Sequence, residues 1–228
     1  NYFWNHYLHR RYSEMKKVPL EKAKTYIRET LAAEHGSLNW YCTDYWSRKF
    51  DLNIIALKKE LSHLIQYREG SLKFLERLSK TSIKSTIVTN AHPDVIRLKN
   101  TLTRLETWVP NFISSHDFGV PKEKAEFWEL VIQKRNLDIS QTMVIDDNIS
   151  CLEAARETGI AYQVSITKPD SKREKQVSNK FRAIEDLNSL FVGQCYWFQS
   201  AQTRGYGQLD SSKVAPKQKR QLLRVRSE

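Results

Sequence analysis

The 228-residue chain contains few cysteines and no long apolar run. Its three cysteines, Cys42, Cys151 and Cys195, form no Cys-x-x-Cys pair and have no histidine at the sequence spacing typical of metal ligands. They predict free thiols in a reducing compartment rather than a disulfide framework. No stretch reaches the ~18 apolar residues of a membrane-spanning helix, and no basic and apolar leader opens the sequence. We therefore expect a cytoplasmic protein that does not bind a membrane.

Acidic residues are in the minority, with 26 Asp and Glu against 37 Lys and Arg, which gives a formal net charge of +11. Residues 194–228 carry seven basic and two acidic side chains, so nearly half of the excess positive charge lies in this segment. The remaining charge is dispersed without blocks. The basic composition is therefore weak evidence that the folded part binds a nucleic acid.

Residues 1–67 are predicted to form a helical lobe, because their apolar residues recur at helical spacing and show no strand-like alternation. One helix is predicted over about 20–31. A second is expected to be capped by Ser37 and to continue through Trp46, where aromatic residues share one stripe. A third is predicted over about 52–65.

Residues 68–192 alternate short β-branched runs with amphipathic helices, a pattern typical of a parallel sheet in an α/β fold. The predicted strands are 85–89, 112–114, 142–145 and 162–166, and the predicted helices are 71–80, 93–105, 123–136 and 149–158. Residues 193–228 are interpreted as a basic tail, which we expect to be disordered because its last part, 211–228, lacks a sustained apolar face.

Three of the predicted strands are followed by polar residues suited to binding phosphate. Thr89 and Asn90 end the first strand and precede a helix that begins with proline, where free N–H groups favour an anion. Lys122 lies at the head of the helix after the second strand. Asp146 and Asp147 end the third strand, and two adjacent carboxylates repel each other unless a cation such as Mg²⁺ neutralises them.

Each of these features also has a structural explanation, since Thr-Asn and Asp-Asp-Asn sequences cap helices and a lysine after proline is commonly solvated. However, ligands of parallel sheets bind at the carboxyl ends of the strands, and these residues follow successive strands of one sheet. Their order therefore predicts a joint site for phosphate and Mg²⁺.

This set resembles the haloacid dehalogenase-like phosphatase superfamily, whose second, third and fourth motifs correspond to IVTN, PKEK and VIDD in this sequence. Other strings resemble the bacterial GMP/IMP nucleotidase branch: NYFW (1–4), LNWYCTDYWS (38–47), TNAHP (89–93), FGVPKEKAEFW (118–128) and KPDSKREKQ (168–176). The resemblance covers residues 1 to about 190 and implies a Rossmann-like parallel sheet with a helical cap inserted after the first strand.

The resemblance further implies an enzyme that hydrolyses purine nucleoside 5′-monophosphates with Mg²⁺. In that family one aspartate attacks phosphorus, and a second, two residues later, protonates the leaving oxygen and then activates water. Thr89 and Asn90 would bind phosphate oxygens while Lys122 offsets negative charge. Asp147 would be the main metal ligand, with Asp146 binding directly or through water.

Three residues of the helical lobe are candidates for recognising the base, since they lie off its apolar stripe: Asn39, Trp40 and Asp44. Packing or helix capping would explain them equally well. The sequence therefore makes these three residues candidates but does not show whether they bind the substrate or stabilise the lobe.

The first motif of the family, a strand ending in Asp-x-Asp-Gly-Thr, is absent from these 228 residues. That strand is central in the family sheet, so we expect a missing central strand, two inner sheet edges with unpaired backbone groups, and a chain that is inactive and poorly stable alone. Each buried unpaired group costs about 1 to 3 kcal/mol.

The sequence leaves two alternatives open. One is a non-catalytic module whose basic segment 211–228 binds RNA, which would make binding strongly salt-dependent. The other is a phosphatase of the same fold acting on a different small phosphate ester, such as a sugar phosphate.

Overall fold

The computed structural model describes residues 2–168, residues 180–191 and the backbone of residues 221–225. The first lobe is helical, as predicted, and contains α1 (Leu8–Lys16), α2 (Leu20–Ala32), α3 (Thr43–Phe50) and α4 (Ile54–Glu60), with a π-helical turn at Phe3–Tyr7 and 3-10 turns at Leu38–Tyr41 and Ser62–Leu64. Within the described residues, no helix combines the length and apolar character needed to cross a bilayer.

The prediction of one continuous helix from Ser37 through Trp46 is wrong. Cys42 has extended backbone angles (φ −87°, ψ 108°) and separates the 3-10 turn from α3. Its Sγ accepts a hydrogen bond from the backbone N–H of Tyr45, at 3.4 Å, so Cys42 caps α3. The indole of Trp46 donates to the carbonyl of Trp40 at 2.9 Å, which satisfies a carbonyl left free by the break.

The helical lobe has an apolar core of its own. The rings of Trp46 and Phe50 stack with centroids 5.3 Å apart, and Trp46 is fully buried. The buried members of this core are Phe3, Leu8, Ile27, Leu31, Trp46, Phe50, Leu52, Ile54 and Leu57. The helical periodicity that predicted the lobe therefore corresponds to the side chains that the lobe buries.

The second part of the chain forms a parallel sheet, which confirms the predicted α/β fold. Its strands are β1 (Lys84–Thr89), β2 (Phe112–Ser114), β3 (Thr142–Asp146), β4 (Tyr162–Ile166), β5 (Arg182–Ile184) and β6 (Gln221–Val225). They are arranged in the order β2-β1-β6-β3-β4-β5, and all five neighbouring pairs are parallel. The helices that accompany the sheet are α5 (Ser71–Ser79), α6 (Pro93–Thr103), α7 (Ala125–Arg135) and α8 (Ile149–Glu157).

The side chains of the inner strands alternate between two apolar layers. In β1, Ile87 packs with Phe74 of α5 on one face, whereas Val88 packs with Trp128 of α7 on the other. Because helices cover both faces of the sheet, the inner strands consist of nearly continuous runs of apolar residues. The polar residues that follow β1, β2 and β3 consequently gather at one edge of the sheet, since all these strands run in the same direction.

The expectation of two unpaired inner sheet edges is wrong, because β6 lies between β1 and β3. Leu223 is in register with Thr86 of β1 and with Val144 of β3. The hydrogen bonds that β6 forms with β1 and β3 satisfy backbone groups that would have no partners if no strand lay between them. The expectation of disorder is likewise wrong for Gln221–Val225. The other residues of the predicted tail lie outside the described part of the chain.

Removing β6 is expected to destabilise the protein strongly. Deletion of residues 221–228 leaves the facing edges of β1 and β3 unpaired. Because each buried backbone group without a partner costs about 1 to 3 kcal/mol, we expect the free energy of unfolding to fall by at least about 3 kcal/mol. Deletion of residues 226–228 alone is the matched control. Urea denaturation followed by circular dichroism measures both, and equal stability of the two variants would contradict the assignment of β6.

Candidate functional site

Lys122 and Asp146 form a buried ion pair at the carboxyl edge of the sheet. Lys122 is 1% exposed, Asp146 is fully buried, and Lys122 Nζ lies 3.2 Å from Asp146 Oδ2. The other carboxylate oxygen accepts a hydrogen bond from the backbone N–H of Asn148 at 2.8 Å. The backbone of Lys122 is also fixed, since its N–H donates to Asn90 Oδ1 at 2.9 Å and its carbonyl accepts from the Trp128 indole at 2.8 Å.

The pKa values of this pair follow from burial and mutual attraction. Burial raises the pKa of Asp146 to about 6, and the negative charge of Asp147 adds to this effect while the Lys122 ammonium opposes it. Burial by itself lowers the pKa of Lys122, but the Asp146 carboxylate, together with Cys151 and Glu123, outweighs this effect and holds that pKa above its usual value. The lysine is therefore a cation at neutral pH, held in place at the sheet edge.

Thr89 and Asn90 lie where the sequence predicted them, at the end of β1. The buried Thr89 hydroxyl accepts a hydrogen bond from the backbone N–H of Ala91 at 3.0 Å. Both polar groups of Asn90 are used within the protein, because its amide nitrogen donates to Glu123 and its carbonyl oxygen accepts from Lys122. Asn90 thus ties the loop after β1 to the segment that carries the lysine.

Glu123 is a site residue that the sequence reasoning missed. Its carboxylate accepts hydrogen bonds from Asn90 Nδ2 at 2.9 Å, Asn148 Nδ2 at 3.1 Å and the Tyr41 hydroxyl at 2.9 Å. Tyr41 belongs to the helical lobe, so this contact joins the lobe to the sheet edge; burial, and then the charge of Glu123, raise the pKa of its hydroxyl. An acid beside a lysine in a polar loop gives no local signal of such a role.

Asp146 and Asp147 carry carboxylates that could hold a magnesium ion at this edge. Asp147 is half-buried and directly follows β3. Both oxygens of Asp146 already have partners in Lys122 and the Asn148 N–H. Carboxylate oxygens are the protein ligands that Mg²⁺ prefers, and one or two are common when phosphate and water complete the shell.

The structure separates the three candidate base-recognition residues of the helical lobe. Asn39 is exposed and donates to Glu34 Oε2 at 3.1 Å, and the ring of Trp40 lies against His35, with centroids 5.5 Å apart. Only Asp44 is brought near a loop of the sheet, with its Oδ2 3.6 Å from His92 Nε2.

A family model described as haloacid dehalogenase-like hydrolase matches residues 4–164. The chain belongs to this family. It is 32% identical over 190 residues to the GMP/IMP nucleotidase YrfG of Escherichia coli K12, which covers 83% of the chain and 86% of the relative. The Shigella flexneri protein of the same name gives the same values. The resemblance found in the sequence motifs is therefore confirmed.

Solved structures of haloacid dehalogenase-like proteins share the fold. A phosphatase from Thermococcus onnurineus superposes with a TM-score of 0.68 at 20% identity, over 82% of this chain and 86% of that one. The hydrolase YfnB from Bacillus subtilis, whose structure was determined with magnesium bound, gives a TM-score of 0.56 at 15% identity, over 82% and 90%. At these identities the likeness concerns the fold alone.

Replacing Lys122 by methionine is expected to lower the free energy of unfolding by about 3 to 5 kcal/mol, because it leaves the Asp146 carboxylate buried without its cation. Lys124→Met, at an exposed position in the same segment, is the matched control and is expected to change stability by less than about 0.5 kcal/mol. The double variant Lys122→Met/Asp146→Asn should recover part of the loss. Denaturation curves of the four proteins measure these differences, and equal effects at both lysines would contradict the buried pair.

Proposed function

We propose that the chain is a magnesium-dependent phosphatase by descent, directed at purine nucleoside 5′-monophosphates such as GMP and IMP. The observation that carries the proposal is the Lys122 ammonium held beside Asp146 at the carboxyl edge, in a segment tied to the loop after Thr89. The 32% identity to relatives named GMP/IMP nucleotidase supports the substrate class.

The residues at the carboxyl edge suit the binding of a phosphate monoester. The Thr89 hydroxyl, at the end of β1, suits a hydrogen bond to a phosphate oxygen. The Lys122 cation offsets the negative charge that develops during transfer of the phosphoryl group. Bound Mg²⁺ would supply charge neutralisation of the phosphate oxygens, with Asp147 as a direct ligand and Asp146 as a direct or water-mediated one.

We further propose that the helical lobe, residues 1–67, is the cap of residues 68–192. Two hydrogen bonds between the parts support this: Tyr41 to Glu123 at 2.9 Å, and Thr43 Oγ1 to His92 Nδ1 at 2.9 Å. Asn39, Trp40 and Asp44 stay predictions for base recognition, and Tyr41 joins them because its hydroxyl reaches the site.

Turnover requires a nucleophile that these 228 residues do not provide. They contain no Asp-x-Asp sequence, which the family uses for the attacking and proton-transferring carboxylates. In this chain β6 occupies the position between β1 and β3, and Arg226 follows it in the sequence where the family pattern has aspartate. We therefore propose that the 228-residue chain binds phosphate esters without hydrolysing them.

Phosphate release tests this proposal directly. The 228-residue chain is expected to release no phosphate from GMP or IMP with Mg²⁺. A version extended at its N-terminus by an apolar strand ending in Asp-x-Asp-Gly-Thr should be active, and more so without residues 221–228, because β6 then no longer competes for the central position.

Substrate profiling of the extended chain separates a nucleotidase from a phosphatase that acts on another small phosphate ester. We expect kcat/KM at least about tenfold higher for GMP and IMP than for glucose 6-phosphate, which corresponds to about 1.4 kcal/mol of differential transition-state binding. A preference for glucose 6-phosphate would favour a phosphatase that acts on sugar phosphates. Hydrolysis of GMP or IMP by the 228-residue chain itself would contradict the proposal that this chain lacks a nucleophile.

A further inference from the structure

Three potential metal ligands from separate segments meet beside the loop that follows β1. Cys42 caps α3 in the helical lobe, His92 caps α6, and His116 lies in the 3-10 turn Ser115–Asp117 after β2. One ligand atom from each lies within 4.8 Å of the other two. We propose that these side chains bind a zinc ion, at a site separate from the carboxylates that suit Mg²⁺.

The separation of the ligand atoms is compatible with a tetrahedral site. Zinc binds sulfur at about 2.3 Å and imidazole nitrogen at about 2.0 to 2.1 Å, which places tetrahedral ligands about 3.3 to 3.6 Å apart. From separations of at most 4.8 Å, each pair has to approach by less than about 1.5 Å. Rotation about side-chain bonds provides movements of this size without rebuilding the backbone.

The two histidines are held close together by the surrounding structure. Their ring centroids are 4.9 Å apart, with the planes at 77°. The Ser114 hydroxyl donates to the carbonyl of Ala91 at 2.7 Å and accepts from the backbone N–H of His116 at 3.2 Å. One hydroxyl therefore links the backbone next to His92 to that of His116, which preorganises both ligands.

Further polar groups surround His92 and could complete the coordination. Thr43 Oγ1 lies 2.9 Å from its Nδ1, Asp94 Oδ2 lies 3.8 Å from Nδ1, and Asp44 Oδ2 lies 3.6 Å from Nε2. Carboxylates beside a metal-binding histidine orient its ring, and catalytic or interfacial zinc sites also accept carboxylate oxygen as a ligand. Asp44 and Asp94 are thus the candidates for the fourth position.

The ligand chemistry selects zinc rather than magnesium. A thiolate and two imidazoles suit borderline and soft metals, whereas Mg²⁺ takes oxygen ligands. Since Cys42 belongs to the helical lobe and the histidines follow strands of the sheet, a zinc ion at this position would cross-link the two parts. The site would thereby fix the lobe over the edge that carries Thr89.

Cobalt absorption spectroscopy of the untagged 228-residue chain tests the proposal. Co²⁺ is expected to bind with one equivalent and to produce the thiolate-to-cobalt charge-transfer band and the visible bands of tetrahedral cobalt. One equivalent of Zn²⁺ should abolish both, and excess Mg²⁺ should leave them unchanged. Absence of a charge-transfer band would overturn the proposal.

Variants assign the ligands. Cys42→Ser should remove the charge-transfer band, whereas Cys195→Ser should retain it. His116→Gln should weaken Co²⁺ binding at least about tenfold, the lower end of what loss of a supporting group costs at metal sites, whereas His63→Gln, at an exposed position, should not. A band that survives in Cys42→Ser, or equal effects at His116 and His63, would overturn the assignment.

Alkylation of Cys42 in the wild-type chain provides a readout that does not depend on variants folding. Zn²⁺ is expected to slow the reaction of Cys42 with iodoacetamide at least about tenfold, because a metal-bound thiolate is a poor nucleophile. Peptide mass spectrometry separates Cys42 from Cys151 and Cys195. An unchanged rate at Cys42 would contradict the site even if the variants fail to fold.

Discussion

The ion pair between Lys122 and Asp146 is the interaction on which the candidate site depends. Both side chains are removed from solvent, and a buried charge without its partner costs several kcal/mol. The segment that carries Lys122 therefore has to stay in register with the end of β3. Asn90 and Trp128 fix the backbone of Lys122, and the adjacent Glu123 extends the network to the helical lobe through Tyr41.

The strand in the centre of the sheet sets the distance between the two halves of this site. Neighbouring strands lie about 4.8 Å apart, so β1 and β3 are separated by roughly twice that distance across β6. Thr89 ends β1 and Asp146 ends β3, and whatever follows the central strand emerges between them. In the family pattern this is the nucleophilic aspartate; after β6 the sequence continues with Arg226. The central position of the sheet can thus be filled by a strand that aspartate does not follow.

Much of this arrangement could be predicted from periodicity and from the polar residues after strands. The helix predicted over 20–31 is observed as Leu20–Ala32, and Thr89, Lys122 and Asp146 lie at one sheet edge. The break at Cys42 was missed because the apolar stripe continues through it. β6 and the approach of Cys42 to His92 were missed for another reason: both depend on partners distant in sequence, and spacing along the chain carries no information about such contacts.

Isothermal titration calorimetry of GMP binding to the 228-residue chain tests the central claim, that the chain holds a phosphate site dependent on Mg²⁺ and on the carboxylates after β3. We expect GMP to bind when Mg²⁺ is present. Removal of Mg²⁺, or the substitution Asp147→Asn, should lower the affinity at least about tenfold, in keeping with the loss of a charged contact. The control Glu129→Gln, at an exposed position on α7, should leave the affinity unchanged. Equal affinity with and without Mg²⁺, or in Asp147→Asn, would contradict the account.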